Sequence, residues 1–298
     1  MKKIFIAGGA TYDSIIHLAD LPKPIPQTIH HCTFYETTGS TGTGKAINLS
    51  KLGFSTTLHA LIGDDIYGER IRSSLQHPNL NFVYDIDPAG TERHVNLMDE
   101  AGKRISIFLN NSSSDPELNF EKFRPFIRDN DLIILNILHY TKKLIPLCKQ
   151  YQKSVWTDLH DYDGCNPYHQ AYIDAADYVF MSSDNLQDYR AVMERIMRQK
   201  RSLVVCTHGK NGATALTGSG EWIEVPVIDA YRMCDANGAG DSFVAGFVYG
   251  YFREYQLKKC LQLATICAGL CITSPELSYD GLNQEILERE YMKHCGIN

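Results

Sequence analysis

Short apolar runs alternate with stretches of helical periodicity through most of the chain. This is the rhythm of an α/β protein built on a mostly parallel sheet. Continuous apolar runs predict strands at 3–7, 57–62, 132–135, 154–158, 178–181 and 203–207. Helical spacing between and beyond them predicts, among others, helices at 44–52, 68–74, 141–150, 186–199 and 241–253. No internal repeat, low-complexity tract or linker divides the 298 residues, so a single domain over 1–298 is expected.

Two regions depart from that rhythm. The first, about 14–36, runs from Ile15-Ile16-His17-Leu18 through a turn containing Pro22, Pro24 and Pro26 to His31-Cys32-Thr33-Phe34-Tyr35. The second, about 91–109, places His94-Val95-Asn96-Leu97-Met98 and Arg104-Ile105-Ser106-Ile107-Phe108 on either side of a turn at 99–102. Each reads as a β-hairpin, and four such strands make a small sheet standing off the main domain. Two uses fit it: an ordinary edge extension, or a lid that keeps water from an activated group. Apolar faces on such a lid call for cover, by closure over substrate or by pairing with a second copy as a homodimer.

Composition narrows the class. Hydrophobic residues make up 44% of the chain, enough for a large core, and the net charge of −6 with no basic run speaks against nucleic acid or a membrane surface as partner. No apolar stretch reaches the roughly 18–20 residues needed to cross a bilayer. The apolar start Ile4-Phe5-Ile6-Ala7 is ended by Gly8-Gly9, too short for a secretory leader, and reads as a buried first strand. Nine scattered cysteines without a CxxC pair argue against disulfides or structural zinc and point to the cytoplasm. His30, His31 and Cys32 are successive strand residues facing alternate sides, so they share no metal site.

The densest chemistry lies in Asp235-Ala236-Asn237-Gly238-Ala239-Gly240-Asp241, followed by the apolar helix Ser242-Phe243-Val244-Ala245-Gly246-Phe247-Val248-Tyr249-Gly250. Three small residues at a helix start leave backbone N–H groups open to an anion. An Asp in that first turn either caps the helix or takes a proton from a hydroxyl held beside the anion. Gly246 and Gly250, four apart, permit close packing against another element.

This segment resembles the C-terminal signature D-T-x-G-A-G-D of the ribokinase, or pfkB-type, family of carbohydrate and nucleoside kinases. Four further blocks resemble the family in the same order. They are Gly8-Gly9-Ala10-Thr11-Tyr12-Asp13; Gly39-Ser40-Thr41-Gly42-Thr43-Gly44 running on to Leu52-Gly53; Gly63-Asp64-Asp65-Ile66-Tyr67-Gly68; and Thr207-His208-Gly209-Lys210-Asn211-Gly212. The resemblance implies a doubly wound, ribokinase-like sheet with helices on both faces and a small β lid. It also implies phosphoryl transfer from ATP, with Mg²⁺, to a hydroxyl of a sugar or nucleoside. By resemblance, Asp241 is the general base and Gly238, Ala239 and Gly240 form an anion hole. Thr11, Asp13, Gly39, Ser40, Thr41, Gly42, Gly44 and Lys45 line the acceptor; Ser182, Thr207, Gly209, Gly212 and Gly240 hold ATP; Asp235 lies near a monovalent cation.

The chain departs from the pattern in two places. An Asn that grips the acceptor falls on Gly44, which suggests vacated volume and an acceptor bulkier than ribose, with Ser40 or Lys45 supplying new contacts. The N-x-x-E stretch that orders Mg²⁺ through water becomes Ser182-Ser183-Asp184-Asn185, leaving Asn185 to assist. Asp158, at a strand end, is either a metal-water contact or a loop cap, and His160 is expected in solvent. Residues 39–46 fall one hydroxyl short of a P-loop, because Ala46 stands where Mg²⁺ would need a Ser or Thr. Two other readings remain open: a P-loop NTPase using Lys45, and a non-catalytic sugar or nucleotide sensor that keeps the kinase fold.

Overall fold

The structure, a computed structural model, describes residues 1–100, 103–199 and 201–296, so part of the turn expected at 99–102 lies outside the described residues. In chain order the strands are β1 (Lys3–Ala7), β2 (Thr11–Leu18), β3 (Thr33–Gly39), β4 (Ser55–Ile62), β5 (Leu80–Ile86), β6 (Arg93–Asp99) and β7 (Arg104–Asn110). They continue with β8 (Leu132–Leu135), β9 (Val155–Asp158), β10 (Tyr178–Ser182), β11 (Leu203–Thr207), β12 (Ala213–Thr217) and β13 (Trp222–Val225). The helices are α1 (Thr41–Lys51), α2 (Ile66–Ser74), α3 (Phe123–Arg128), α4 (His139–Lys142), α5 (Ile145–Gln150), α6 (Gln170–Ala175), α7 (Tyr189–Met197), α8 (Ala239–Phe252), α9 (Leu257–Cys271) and α10 (Gln284–His294).

Among the described residues the large sheet runs β13-β12-β11-β10-β9-β8-β1-β4-β5. It is parallel from β11 through β5 and antiparallel only where β12 and β13 are added. Its central strands are apolar at nearly every position because helices cover both faces. On β1 the alternation decides the layer: Ile4 and Ile6 pack with Ala46, Leu49, Val244 and Phe247 on one side, Phe5 and Ala7 with Phe123, Tyr172 and Met193 on the other. Gly246 and Gly250 pack as expected, since a Cβ on either would lie 2.7 Å from Cys267 Cβ or 2.9 Å from Cys260 Cα, so α8 and α9 touch backbone to backbone.

Several element boundaries differ from expectation for local reasons. The helix expected at 141–150 is two, α4 and α5, because Pro146 lacks an N–H and sits in a first turn, not a helix interior. The helix expected from 186 starts at Tyr189, where the Asp188 carboxylate accepts from Ala191 N at 3.0 Å. Strands β5, β12 and β13 were not expected: β5 is half-buried and polar at intervals, and the apolar runs of β12 and β13 are broken by Thr214, Thr217 and Glu224.

The two expected hairpins form one small sheet of order β3-β2-β6-β7, longer at its base than expected. Its first pair spans 11–18 and 33–39, so Thr11, Asp13 and Gly39 belong to the small sheet itself. The two antiparallel pairs are joined by parallel pairing of β2 with β6, which puts Asp13, Ile15 and His17 on one face with His94, Asn96 and Met98.

Candidate active site

The apolar stretch after Gly240 folds as a helix, and Gly238 opens it in the left-handed region (φ 78°), where a Cβ would strike Leu277 Cα at 2.8 Å. Gly240 is exposed and a Cβ built on it meets nothing within 4 Å, so the first turn of α8 faces open space. Asp241 does not cap the helix: its side chain is buried and turns toward α1.

There it meets Lys45. The Lys45 ammonium, fully buried, donates to Asp241 Oδ1 at 2.6 Å and to Asp158 Oδ2 at 2.9 Å. Burial works against its charge, but Asp158 and Asp241 together hold its pKa above the ordinary lysine value. Burial pushes the Asp241 carboxyl up to about 6, against the lowering influence of Lys45 and, more weakly, of Arg104 on β7. Burial likewise opposes ionisation of Asp158, yet His160 and Lys45 hold its carboxyl well below the usual aspartate range. Lys45 therefore does not line an open loop as a P-loop lysine would, and no hydroxyl follows it at Ala46.

The volume expected at Gly44 is not there. A Cβ on Gly44 would lie 2.3 Å from Asp241 Oδ2, so the missing side chain makes room for the Asp241 carboxylate, not for a larger acceptor. Gly42 is also a packing glycine, its Cβ position 2.5 Å from Gly9 O. Gly39 lets Asp13 lie flat against the lid, its Cβ position 2.1 Å from Asp13 Oδ2. Ser40 bends the chain into α1 with φ 77°, and Thr41 Oγ1 accepts from the Asn136 amide.

Where the acceptor is expected, Thr11 Oγ1 and Asp13 Oδ1 are buried with few polar partners. Asn96 Nδ2 donates weakly to Asp13 Oδ2 at 3.4 Å, and His94 Nδ1 lies 3.5 Å from Asp13 Oδ1. Burial raises the Asp13 pKa, with His94 opposing. Buried oxygens with few partners on one strand suit a ligand rich in hydroxyls. His94, Asn96 and Arg104 were not singled out from the sequence, although their period-two spacing with Met98 and Ser106 carried the signal.

On the nucleotide side, Ser182 and Thr207 end neighbouring parallel strands, and Ser183 N donates to Thr207 O at 2.9 Å. The loop after β11 turns on Gly209 (φ 53°) and Gly212 (φ 91°), closed by His208 N donating to Gly212 O at 2.8 Å. A Cβ on Gly209 would meet nothing within 4 Å. These strand ends share an edge with Asp158 of β9, the place where open α/β sheets hold ligands.

The residues expected near metals already have partners. Asn185 Nδ2 donates to Asp161 O at 2.8 Å, and Asp158 is taken by Lys45 and by the His160 N–H at 3.0 Å, the loop-cap alternative. The Asn185 bond uses its N–H group and leaves its oxygen for a metal-bound water, and among the described residues no group of three or more His, Cys, Asp and Glu side chains could hold a metal. His160 is not in solvent; it turns back on Asp158 with φ 55°, and burial lowers its pKa. Asp235, expected near a monovalent cation, accepts from Tyr35 Oη at 2.9 Å and from Asn237 N at 2.7 Å, with His17 Nε2 at 3.3 Å. Among the described residues no helix is long and apolar enough to cross a membrane.

Comparison with known proteins agrees with this arrangement. The pattern described as pfkB family carbohydrate kinase matches residues 2–283. An acarbose 7(IV)-phosphotransferase from Actinoplanes sp. is 28% identical over 294 residues, covering 96% of this chain and 97% of its own. Fructoselysine 6-kinase of Escherichia coli is 24% identical over 238 residues, 78% of this chain and 89% of its own. Among solved structures, a microbiome-derived acarbose kinase superposes with a TM-score of 0.86 at 25% identity, covering 97% of this chain and 98% of that one. Ribokinase of Arabidopsis thaliana complexed with ribose and ATP has a TM-score of 0.78 at 18% identity, over 97% and 98% of the two chains, a likeness of fold. The chain belongs to the pfkB family of carbohydrate kinases, phosphotransferases with an alcohol group as acceptor.

Proposed function

We propose that this kinase transfers the γ-phosphoryl group of ATP to a hydroxyl of a carbohydrate larger than free ribose, with Asp241 as general base. The observation that carries the reading is a buried carboxylate at the first turn of α8, beside open space over Gly240. Lys45 engages Asp241 Oδ1, which leaves Oδ2 for the acceptor. The acceptor oxygen bonds to the γ-phosphorus as the bond to the ADP oxygen breaks; Oδ2 takes the hydroxyl proton, and the bond electrons leave with ADP. The amides of Gly238, Ala239 and Gly240 hold the transferring oxygens, so the protein supplies alignment and charge stabilisation. Thr11 and Asp13 receive the acceptor hydroxyls, and the strand ends at Ser182 and Thr207 with the Gly209–Gly212 loop take the nucleotide. The expectation of a larger acceptor rests on the acarbose-acting relatives, since the space once expected at Gly44 is filled. The intact base favours a kinase over a sensor.

The test is ADP release with acarbose and, separately, ribose as acceptor. Asp241→Asn should retain the fold and lower kcat by about 10²–10⁴. In the wild type, kcat/KM should fall as pH drops through about 6, because a protonated Asp241 cannot accept a second proton. Turnover in the variant close to wild type removes the assignment, and efficient use of ribose with no use of acarbose removes the acceptor class.

A further inference from the structure

The buried Lys45 bridge takes no proton in the reaction as written above, yet Lys45 is the closest charged contact that Asp241 makes. Three segments far apart in sequence converge on it. Asp158 ends β9 of the central sheet, Lys45 sits in the second turn of α1, and Asp241 lies in the first turn of α8. The ammonium is 0% exposed and bonds to both carboxylates, at 2.9 Å and 2.6 Å. Asp158 is itself fixed, because its other oxygen accepts the His160 N–H at 3.0 Å. The neighbouring Gly44 supplies the space: any Cβ there would press on Asp241 Oδ2 at 2.3 Å. Gly44 and Lys45 thus form a seat for one carboxylate, a gap for one oxygen and a donor for the other.

We propose that Lys45 is a positioning residue for the base: anchored to the sheet through Asp158, it holds the Asp241 carboxylate in one orientation and one charge state. The inference rests on the reading of Asp241 as the base. A lysine in water holds a carboxylate loosely, since the ion pair is screened and the long side chain must be ordered. Here water is excluded, and two anions compensate the buried cation. The bridge also balances the proton step. Before transfer, one cation sits between two anions; afterwards Asp241 is neutral and Lys45 keeps a full partner in Asp158, so no buried charge is left alone. With Asp158 absent, the lysine would belong to Asp241 alone and would weaken it as a base. With Lys45 absent, two carboxylates would face each other and one would hold a proton.

This gives the two partners opposite signatures. The charged and titratable groups felt at Asp241 are Lys45 on α1, Asp158 on β9 and Arg104 on β7, and Cys271 on α9 feels Asp241 in turn. Arg104 and Cys271 are unchanged in either variant below.

The experiment is carbon-13 NMR of the full-length protein labelled at aspartate carboxyls, without nucleotide or acceptor, titrated through pH 4–9. Asp241→Asn identifies the resonance. Lys45→Met, close in shape and without charge, should move the Asp241 midpoint up by at least about one pH unit, tenfold in proton affinity. Asp158→Asn should move it down. A lysine that merely fills space leaves both midpoints where they are, and that result, or two shifts of the same sign, overturns the proposal. If Lys45→Met does not fold, the Asp158→Asn arm decides alone: an unchanged or raised midpoint ends the proposal. Because no turnover is read, a failure of Asp241 as base appears only in the kinetics of Asp241→Asn and is distinguishable from a failure of the bridge.

Discussion

Gly44 and Gly240 are three small atoms apart from alanine in formula and opposite in role. Gly240 opens onto space, so Gly240→Val meets no protein atom at its Cβ and should change stability by less than about 1 kcal/mol. The same branched side chain would stand among the helix-start amides, and turnover should drop by about 10²-fold or more. Gly44 opens onto the Asp241 carboxylate. Gly44→Ala should displace the Asp241 carboxylate from Lys45, lowering both turnover and melting temperature. Steady-state kinetics and thermal melts of the pair check the contrast, and equal losses in both variants would make Gly240 a structural turn only. At this scale Asp241 was legible, because a carboxylate after three small residues at a helix start has few uses. Its partner was not. Lys45 reads locally as part of a failed P-loop, and nothing in the spacing 45, 158 and 241 announces a contact.

The lid is held by a few directed bonds. From β3, Tyr35 Oη donates to Asp235 Oδ2 at 2.9 Å and lies 3.0 Å from Pro275 O, while Thr37 Oγ1 donates to Glu276 Oε2 at 3.1 Å. His17 of β2 stacks on Tyr35 with ring centroids 5.9 Å apart and approaches the same Asp235. Burial and the Asp235 charge raise the Tyr35 pKa, so the phenol stays a donor across neutral pH. Asp235 belongs to the segment that leads into α8, so the small sheet is tied to the loop that opens that helix. Tyr35→Phe removes the hydroxyl from both contacts. Hydrogen exchange in 11–18 and 33–39 should then quicken by about tenfold while β1 and β8 keep their protection. Unchanged exchange would mean that the lid is held by its packing alone. Both lid hairpins were visible as alternating strands, but the parallel β2–β6 pairing that joins them is a long-range choice that alternation does not encode.

Across the whole molecule, β7 stands out as an edge strand exposed from Arg104 to Leu109. Ile105 and Ile107 share one side of it, 39% and 45% exposed, Leu109 at the following bulge is 54% exposed, and Phe34 of β3 is 60% exposed. An open strand edge with an apolar side invites a second sheet. The proposed function therefore extends to a homodimer paired through the lid. Sedimentation velocity should show a dimer that Ile107→Lys converts to monomer; a wild-type monomer at micromolar concentration rejects it.

The alternation of strands and helices, the mostly parallel α/β class and the carboxylate at the start of α8 follow from local rules, and the sequence by itself determined them. Buried parallel strands must be apolar throughout, glycines must stand where backbones meet, and a helix start must leave N–H groups open. The tertiary structure decided what the same residues do to one another. It put Gly44 against Asp241 instead of against an acceptor, turned Lys45 inward between two carboxylates, and gave Asp235 to the lid. Those outcomes depend on packing α1 against α8 and the lid against the loop before α8, contacts between residues some 200 positions apart. Local periodicity carries no information about such distances. A charged side chain chooses its partner only after water has been excluded around it.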